Sequence, residues 1–178
     1  MKKSVLLLFF AGCVATGIFG IGRKIPMNRV NDLGQREGYW RDSLGEGITH
    51  ELYYKGGKKD GLFKCFIRNE LFLFGEYTAD NMSGTWYMFG DEGELRCTID
   101  SIEFNKDSIY TGYPCCRIFC KYKCYCADYY PSGAVKSEGY MVCDEEFEIE
   151  IWEIGEWKYY DESGNLIKTK DYGDRRTP

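Results

Sequence analysis

The sequence predicts an all-β protein, an antiparallel meander of successive β-hairpin repeats, and three observations support that prediction. Aromatic residues make up 17% of the 178 residues, and 21 glycines lie among them. Aromatic residues favour strands, whereas glycine favours the tight turns that join strands. A glycine–any residue–aromatic pattern recurs along the chain, and no amphipathic helical pattern follows residue 30.

The chain begins with the pattern of a secretory signal. Two lysines precede an apolar run that extends from residue 5 to residue 22, and a basic start before an apolar core is typical of export signals. Within the run, Leu8–Cys13 resembles a bacterial lipobox, which implies lipidation at Cys13. Two alternatives remain: cleavage near Ala15–Gly17, or an uncleaved membrane anchor, since the run has about the minimum length that spans a bilayer. All three predict export.

Charge separates the start of the chain from its body. Residues 1–30 carry five basic residues and no acidic one, whereas the remainder carries 18 basic and 28 acidic residues. Because an acidic body repels phosphate groups, nucleic acid is excluded as a partner, and membrane contact is expected only through the N-terminal segment. The predicted organisation is a signal or anchor at 1–22, a linker at 23–30, a hairpin-repeat domain at 31–172 and a tail at 173–178.

Four copies of the Gly-x-aromatic core mark the repeat domain. The first three begin at residues 38, 61 and 84, with a period of 23 residues, and the fourth begins at residue 155, close to three further periods. A second marker, a turn followed by an aliphatic residue, recurs at 68–71, 92–95, 132–135 and 163–166. One hairpin is not stable alone, so neighbours stacked in one continuous sheet are predicted. The repeat-core residues are Gly38, Trp40, Gly61, Phe63, Gly84, Trp86, Gly155 and Trp157.

Two stretches of the repeat domain, Tyr54–Phe63 and Gly155–Leu166, resemble MORN-type repeats. The chain is similar here to the bacterial MORN-repeat-variant proteins labelled YwqK-family antitoxins, many of which are exported or lipidated. The resemblance covers residues 31–104 and 128–172. It implies a curved antiparallel sheet of successive hairpins that serves as a scaffold or interaction surface, without catalytic residues or a cofactor. The label itself implies a second function, inhibition of a toxin protein.

A cysteine-rich segment at 105–127 interrupts the repeat pattern. The chain has nine cysteines, and eight remain when Cys13 is set aside; an even number is typical of disulfides in an exported chain. If residues 115–128 form one strand, alternate cysteines share one face, and neighbours two apart along it lie at or beyond disulfide reach. Bridges are therefore expected to reach Cys97 and Cys143 on adjacent strands. The candidate disulfide or thiol cluster is Cys97, Cys116, Cys120, Cys124, Cys126 and Cys143.

Three interpretations of these cysteines stay open. They are small buried apolar residues of a crowded sheet, or cross-strand disulfides, or a thiolate metal site in which Cys120, Cys124 and Cys126 converge on one face. The chain has no Cys-x-x-Cys pair and no histidine near these cysteines. Because zinc sites usually contain one or both, no metal is expected.

Other residues with catalytic potential are better explained without catalysis. His50, beside Glu51, has the chemistry of a base for a cysteine, yet an exposed turn histidine near Gly47 is the favoured interpretation. The acidic run 144–153 alternates glutamates with apolar residues. Three interpretations fit it: a carboxylate pair of a glycosidase, a calcium site, or the solvated face of a strand. The strand face is favoured, because like charges prevent edge-to-edge association. No phosphate-binding loop or nucleophile elbow is present, so a non-enzyme is predicted.

Together these features predict a non-catalytic interaction module, exported and lipid-anchored in the bacterial cell envelope. Exposed aromatic residues between acidic ones, such as Tyr129, Tyr130 and Tyr159, suit contact with a protein or a glycan. An antitoxin- or immunity-like inhibitor is the first alternative, and a thiol- or metal-dependent enzyme at the cysteine cluster is the second. The oligomeric state is left open.

Overall fold

The computed structural model describes residues 26–106, 110–113, 116–144 and 152–173. These residues form strands and turns, with no helix among them. A helix with the length and apolarity needed to cross a membrane is therefore not found in this part of the chain. The strands are β1 (Arg29–Val30), β2 (Arg36–Gly45), β3 (Ile48–Lys55), β4 (Lys58–Ile67), β5 (Glu70–Thr78), β6 (Asn81–Phe89), β7 (Leu95–Phe104), β8 (Tyr110–Tyr113), β9 (Cys116–Phe119), β10 (Tyr122–Tyr129), β11 (Val135–Cys143), β12 (Trp152–Tyr160) and β13 (Leu166–Asp171).

Eleven of these strands form one sheet in the order β1-β2-β3-β4-β5-β6-β7-β10-β11-β12-β13. Every neighbouring pair is antiparallel. β8 and β9 form a separate hairpin between β7 and β10. The prediction of an all-β antiparallel meander is confirmed. The sheet is open and uncurled, which differs from the curved sheet that the family resemblance implies.

Four hairpins close with two-residue turns whose residues both have positive φ. These turns join β2 to β3, β3 to β4, β4 to β5 and β5 to β6, and their φ angles lie between 49° and 82°. This is type I′ geometry, whose twist matches that of the paired strands. The turns are Glu46-Gly47, Gly56-Gly57, Arg68-Asn69 and Ala79-Asp80.

A second connection, a five-residue loop, recurs four times. In each loop the first residue donates its N–H to the carbonyl of the fifth and accepts the N–H of the fourth, a glycine with positive φ. The loops at 90–94, 130–134 and 161–165 overlap three of the four predicted turn markers. The marker at 68–71 instead contains a two-residue turn, and the loop at 31–35 has no counterpart among the predicted markers.

Two of the Gly-x-aromatic cores are strand bulges that place an indole over a glycine of the preceding strand. In β6, Gly84–Trp86 oppose the single residue Gly75 of β5. In β12, Gly155–Trp157 oppose Gly139 of β11 in the same way. A Cβ atom at either opposed glycine would overlap the indole. Each ring therefore needs a glycine on the neighbouring strand.

The other two cores differ in detail. At the second core, residues 60–62 oppose Tyr53, and Phe63 pairs with Leu52. At the first core, Trp40 is only partly buried, because the adjacent strand β1 has two residues. β1 lies within the predicted linker at 23–30.

One face of the sheet, the core face, carries a continuous hydrophobic core. The rings of Phe63, Tyr77 and Trp86 contact one another with centroids 5.1–5.7 Å apart. Aromatic pairs at such distances contribute about 0.5–1.5 kcal/mol each beyond their area burial. The buried residues of this core are Leu52, Phe63, Cys65, Leu73, Tyr77, Met82, Trp86, Cys97, Ile99, Tyr122, Cys124, Cys126, Met141, Cys143 and Trp157.

The segment that leaves the sheet after β7 is closed by Asn105. Its backbone N–H donates to the Lys121 carbonyl at 2.9 Å, and its side-chain amide donates to the Cys120 carbonyl at 2.8 Å. Asn105 is buried. This clamp brings the chain back to the sheet one residue before β10 begins, so that β10 pairs with β7 as a full member of the main sheet.

Candidate functional site

Four buried cysteines on the core face form a row across β7, β10 and β11, named here the thiol row: Cys97, Cys126, Cys124 and Cys143. The Sγ atoms of Cys97 and Cys126 lie 3.1 Å apart, and those of Cys124 and Cys143 lie 3.5 Å apart. All four are free thiols. Each contact joins diagonal positions of neighbouring strands, since Cys126 pairs with Ile99 and Cys124 pairs with Met141.

Two members of the thiol row are held as neutral thiols. The hydrogen bond with Cys143, and then burial, raises the pKa of Cys124. The hydrogen bond with Cys97, and then burial, raises the pKa of Cys126. A nucleophilic cysteine needs a lowered pKa and access to solvent. Cys124 and Cys126 have neither property at neutral pH.

Cys120 does not join the thiol row. It packs with Val142 and Ile154 in a second, smaller cluster, whereas Cys124 and Cys126 belong to the main core. The convergence of Cys120, Cys124 and Cys126 that the sequence suggested is therefore wrong. The reason is that the chain is not one continuous strand here, because β9 ends before Cys120 and β10 begins after Lys121. The condition on which the shared face rested, one strand over 115–128, is therefore not met.

His50 lies within a strand and not in a turn. It is half-buried in β3, directly opposite Cys65 of β4. Its ring meets the edge of Phe63 with centroids 5.1 Å apart. The expected exposed turn histidine is therefore wrong, and His50 is a packing residue of the sheet.

Several sequence predictions fall outside the described residues. They concern Cys13 and the signal segment at 1–22, Cys115, residues 145–151 of the acidic run, and the tail from residue 174. Cys116 is the first residue of β9. These predictions stay predictions.

The opposite face of the sheet carries partly exposed aromatic pairs and is named here the tyrosine face. Three pairs stand directly opposite one another on β2 and β3, on β5 and β6, and on β10 and β11. Their ring centroids lie 5.2–6.0 Å apart. Tyr53 and Tyr140 are 40% and 45% exposed. The pairs are Tyr39–Tyr53, Phe74–Tyr87 and Tyr125–Tyr140.

Charges of both signs lie between the aromatic pairs. Arg41 Nη1 is 3.8 Å from Glu51 Oε1 on the next strand, and Glu51 stands opposite Lys64. Farther along, Glu138 stands opposite Lys158. The tyrosine face therefore alternates rings with acidic and basic groups.

Two tyrosines of this face are bound to its carboxylates. Burial raises the pKa of Tyr39 to about 12, and the hydrogen bond to Glu51 is the second cause. Burial, followed by the hydrogen bond to Glu138, raises the pKa of Tyr125 to about 12 as well. Both phenols are neutral hydrogen-bond donors at physiological pH.

We expect the free energy of unfolding to fall as the pH rises from 10 to about 12. Tyr39 and Tyr125 ionise near pH 12 in the fold but near pH 10 in the unfolded chain. As the pH rises, the unfolded chain therefore loses these protons first and is stabilised relative to the fold. The stabilisation that the two neutral phenols give the fold is complete below pH 10 and is lost as the pH approaches 12. Urea unfolding across this range measures it. Replacing both tyrosines by Phe should make the fall shallower, and an equally steep fall contradicts the assignment.

The three tyrosines predicted as exposed are half-buried and hydrogen-bonded, so that prediction is wrong. Among the tyrosines whose side chains the structure describes, the exposed ones are instead Tyr53 and Tyr140, which the sequence pattern did not single out. The sequence does contain a signal for Tyr140, because this residue directly follows Gly139. Gly139 lies beneath the Trp157 indole on the core face, so the next residue along the strand points to the tyrosine face. The bonds are Tyr129 Oη with Thr98 Oγ1 at 3.1 Å, Tyr130 Oη to the Tyr160 carbonyl at 2.9 Å, and Tyr159 Oη with Tyr172 Oη at 2.7 Å.

Comparison with protein-family models, with curated proteins and with solved structures finds no match to this chain. The resemblance to MORN-repeat-variant proteins therefore stays a prediction from the sequence. What the molecule offers a partner follows from its own two faces: a buried thiol row on one and a partly exposed tyrosine face on the other.

Proposed function

We propose that the protein is an exported, non-catalytic interaction module that binds a partner protein through the tyrosine face. The observation that carries the proposal is the set of three directly opposed aromatic pairs on this face. Tyrosine is enriched at protein interfaces because a large rigid ring is ordered there at little entropic cost.

The size and charge of the tyrosine face favour a protein over a glycan. It extends from β2 to β11, which are seven strand spacings apart in the sheet, or about 34 Å at roughly 4.8 Å each. A surface of that length matches one side of an ordinary protein–protein interface and exceeds a short glycan. The alternation of Arg41, Glu51, Lys64 and Glu138 with the rings also suits the mixed charges of a protein surface.

The rest of the proposal concerns family and location. A meander of short hairpins with indoles over glycines supports kinship with MORN-repeat-variant proteins. The basic start and apolar run support export to the bacterial cell envelope, with lipidation at Cys13 as the anchor. The protonated, buried state of Cys124 and Cys126 supports a non-catalytic role.

Site-specific photocrosslinking in the producing cell tests this function. A photoreactive phenylalanine placed at Tyr53 or at Tyr140 is expected to capture one partner protein, because both side chains are exposed on the tyrosine face. The matched control position is Leu33, which is 81% exposed in the 31–35 loop. Tyr53→Ala and Tyr140→Ala should each weaken binding of that partner about 30-fold or more, because loss of an interface hot spot costs about 2 kcal/mol or more.

The outcomes separate the candidate partners. Equal capture from all three positions, or none, contradicts the proposal. Capture of a glycan, or glycan binding that Tyr140→Ala abolishes, replaces the protein partner by a glycan. If the captured protein is a toxin whose activity the chain suppresses, the module acts as an inhibitor.

A further inference from the structure

Three atoms that can act as metal ligands lie close together at one end of the thiol row. The Sγ atoms of Cys97 and Cys126 and a carboxylate oxygen of Asp128 all lie within 4.8 Å of one another. Asp128 stands directly opposite Cys97 in the register of β7 and β10, and Cys126 precedes it by two residues on the same face. Both thiols are buried.

The register of β7 and β10 disfavours a disulfide between these thiols. Cys126 pairs with Ile99, so it lies diagonally from Cys97. Diagonal neighbours in an antiparallel pair are roughly 7–8 Å apart, whereas a disulfide joins Cα atoms about 4.4–6.8 Å apart. A zinc ion binds each sulfur at about 2.3 Å, which allows two sulfurs to lie roughly 3.8 Å apart. The observed Sγ–Sγ distance of 3.1 Å is also closer to that separation than to the S–S bond length of about 2.05 Å. A bridging cation therefore fits this pair of sulfurs better than a covalent bond.

We propose that Cys97, Cys126 and Asp128 form a binding site for a thiophilic divalent cation, with Zn²⁺ as the best fit. Two sulfurs and one carboxylate are ligand types that zinc takes, and three protein ligands leave the fourth position to water. Binding exchanges the two thiol protons, which pass to solvent, for one cation.

A neighbouring hydroxyl already orients the carboxylate. Ser137 Oγ donates a hydrogen bond of 2.8 Å to Asp128 Oδ2, and Ser137 is 4% exposed. Such a second partner fixes the direction of a ligand and raises metal affinity. Ser137 itself lies on β11 opposite Asp128, so three neighbouring strands build the site.

Zinc titration of the full chain, purified in mild detergent with a phosphine reductant, tests the site. Competition with a chromophoric chelator is expected to show one high-affinity zinc per chain, and zinc should slow alkylation of Cys97 and Cys126 in mass-spectrometric mapping. Cys97→Ser and Asp128→Asn should each weaken binding by at least about 100-fold, because loss of a ligand costs more than the roughly 10- to 100-fold lost with a hydrogen-bond partner of a ligand. Asp128→Asn keeps the shape of the side chain, so it serves if Cys97→Ser does not fold. The matched controls are Cys65→Ser, another buried core-face cysteine, and Asp100→Asn.

The same experiment provides the results that overturn the site. No zinc bound at micromolar concentration is one, and an unchanged affinity in Asp128→Asn is another. Recovery of a Cys97–Cys126 disulfide from the chain isolated without reductant is a third. Equal loss of binding in Cys65→Ser or Asp100→Asn assigns the metal to a different set of ligands.

Discussion

Gly75→Ala is expected to destabilise the protein by about 3 kcal/mol, the upper part of the range for overpacking a filled core. The new Cβ would overlap the indole of Trp86, and Trp86 is 1% exposed, among the most buried side chains of the core. The indole cannot retreat without losing its contacts with Phe63 and Tyr77. Urea unfolding followed by far-ultraviolet circular dichroism measures the change.

Gly164→Ala is the matched control for this substitution. Gly164 has a φ of +82° in the 161–165 loop, and a Cβ at this position would have no atom within 4 Å. Its replacement should cost only the left-handed strain, about 1–2 kcal/mol. Trp86→Ala alone should cost about 3–5 kcal/mol, and the double substitution with Gly75→Ala should cost less than the two singles together, because the overlap is gone. A Gly75→Ala effect no larger than that of Gly164→Ala would disprove the ring-over-glycine arrangement.

The ring-over-glycine arrangement also shows how far the sequence predicts the fold. The Gly-x-aromatic cores identified the strands and the order of the hairpins, because glycine and aromatic residues have strong local preferences. The opposed glycines were not predicted. Gly75 precedes Trp86 by 11 residues and Gly139 precedes Trp157 by 18, so no fixed spacing links ring to glycine. The register that brings them together depends on the turn or the connection between the strands.

Register also explains which part of the cysteine site could be predicted. The sequence placed Cys97 and Cys143 on strands adjacent to the cysteine-rich segment, and the structure puts both beside β10. Asp128 was missed because its role depends on standing opposite Cys97. Cys120 was misplaced because the chain turns at Cys120–Lys121, and no local pattern there marks the end of a strand.

Bulges limit what period-two alternation can predict about exposure. Ser101, with a φ of 51°, adds one residue to β7. As a result Ile99 and Phe104, five residues apart, pair with Cys126 and Tyr122, which share the core face of β10. Simple alternation would put Ile99 and Phe104 on opposite faces. In a chain with aromatic residues on both faces, such a shift changes which tyrosines are exposed.

Tyr122→Ala is expected to lower the free energy of unfolding by about 4 kcal/mol, as for other buried aromatic residues. Tyr122 is 1% exposed and stacks on Phe104 with ring centroids 5.8 Å apart. Its hydroxyl accepts the backbone N–H of Met82 at 3.1 Å. Met82 lies on β6 beyond the end of the β6–β7 ladder, which stops at Trp86 and Ile99. Tyr122 therefore ties β6 to β10 where β7 no longer pairs with β6.

Tyr122→Phe separates the hydroxyl from the ring. It keeps the buried ring but leaves the Met82 N–H without this acceptor, which should cost about 1–3 kcal/mol. Tyr53→Ala is the matched control, because Tyr53 is 40% exposed on the tyrosine face and should cost much less than Tyr122→Ala. Amide hydrogen exchange gives an independent measurement. In Tyr122→Phe the Met82 amide should exchange faster, while the amide of Tyr87, which is paired with both β5 and β7, stays protected. Unchanged exchange at Met82 would show that the hydroxyl does not hold the two strands together, and β10 would then be held at this end by its ladders with β7 and β11 and by the Asn105 clamp.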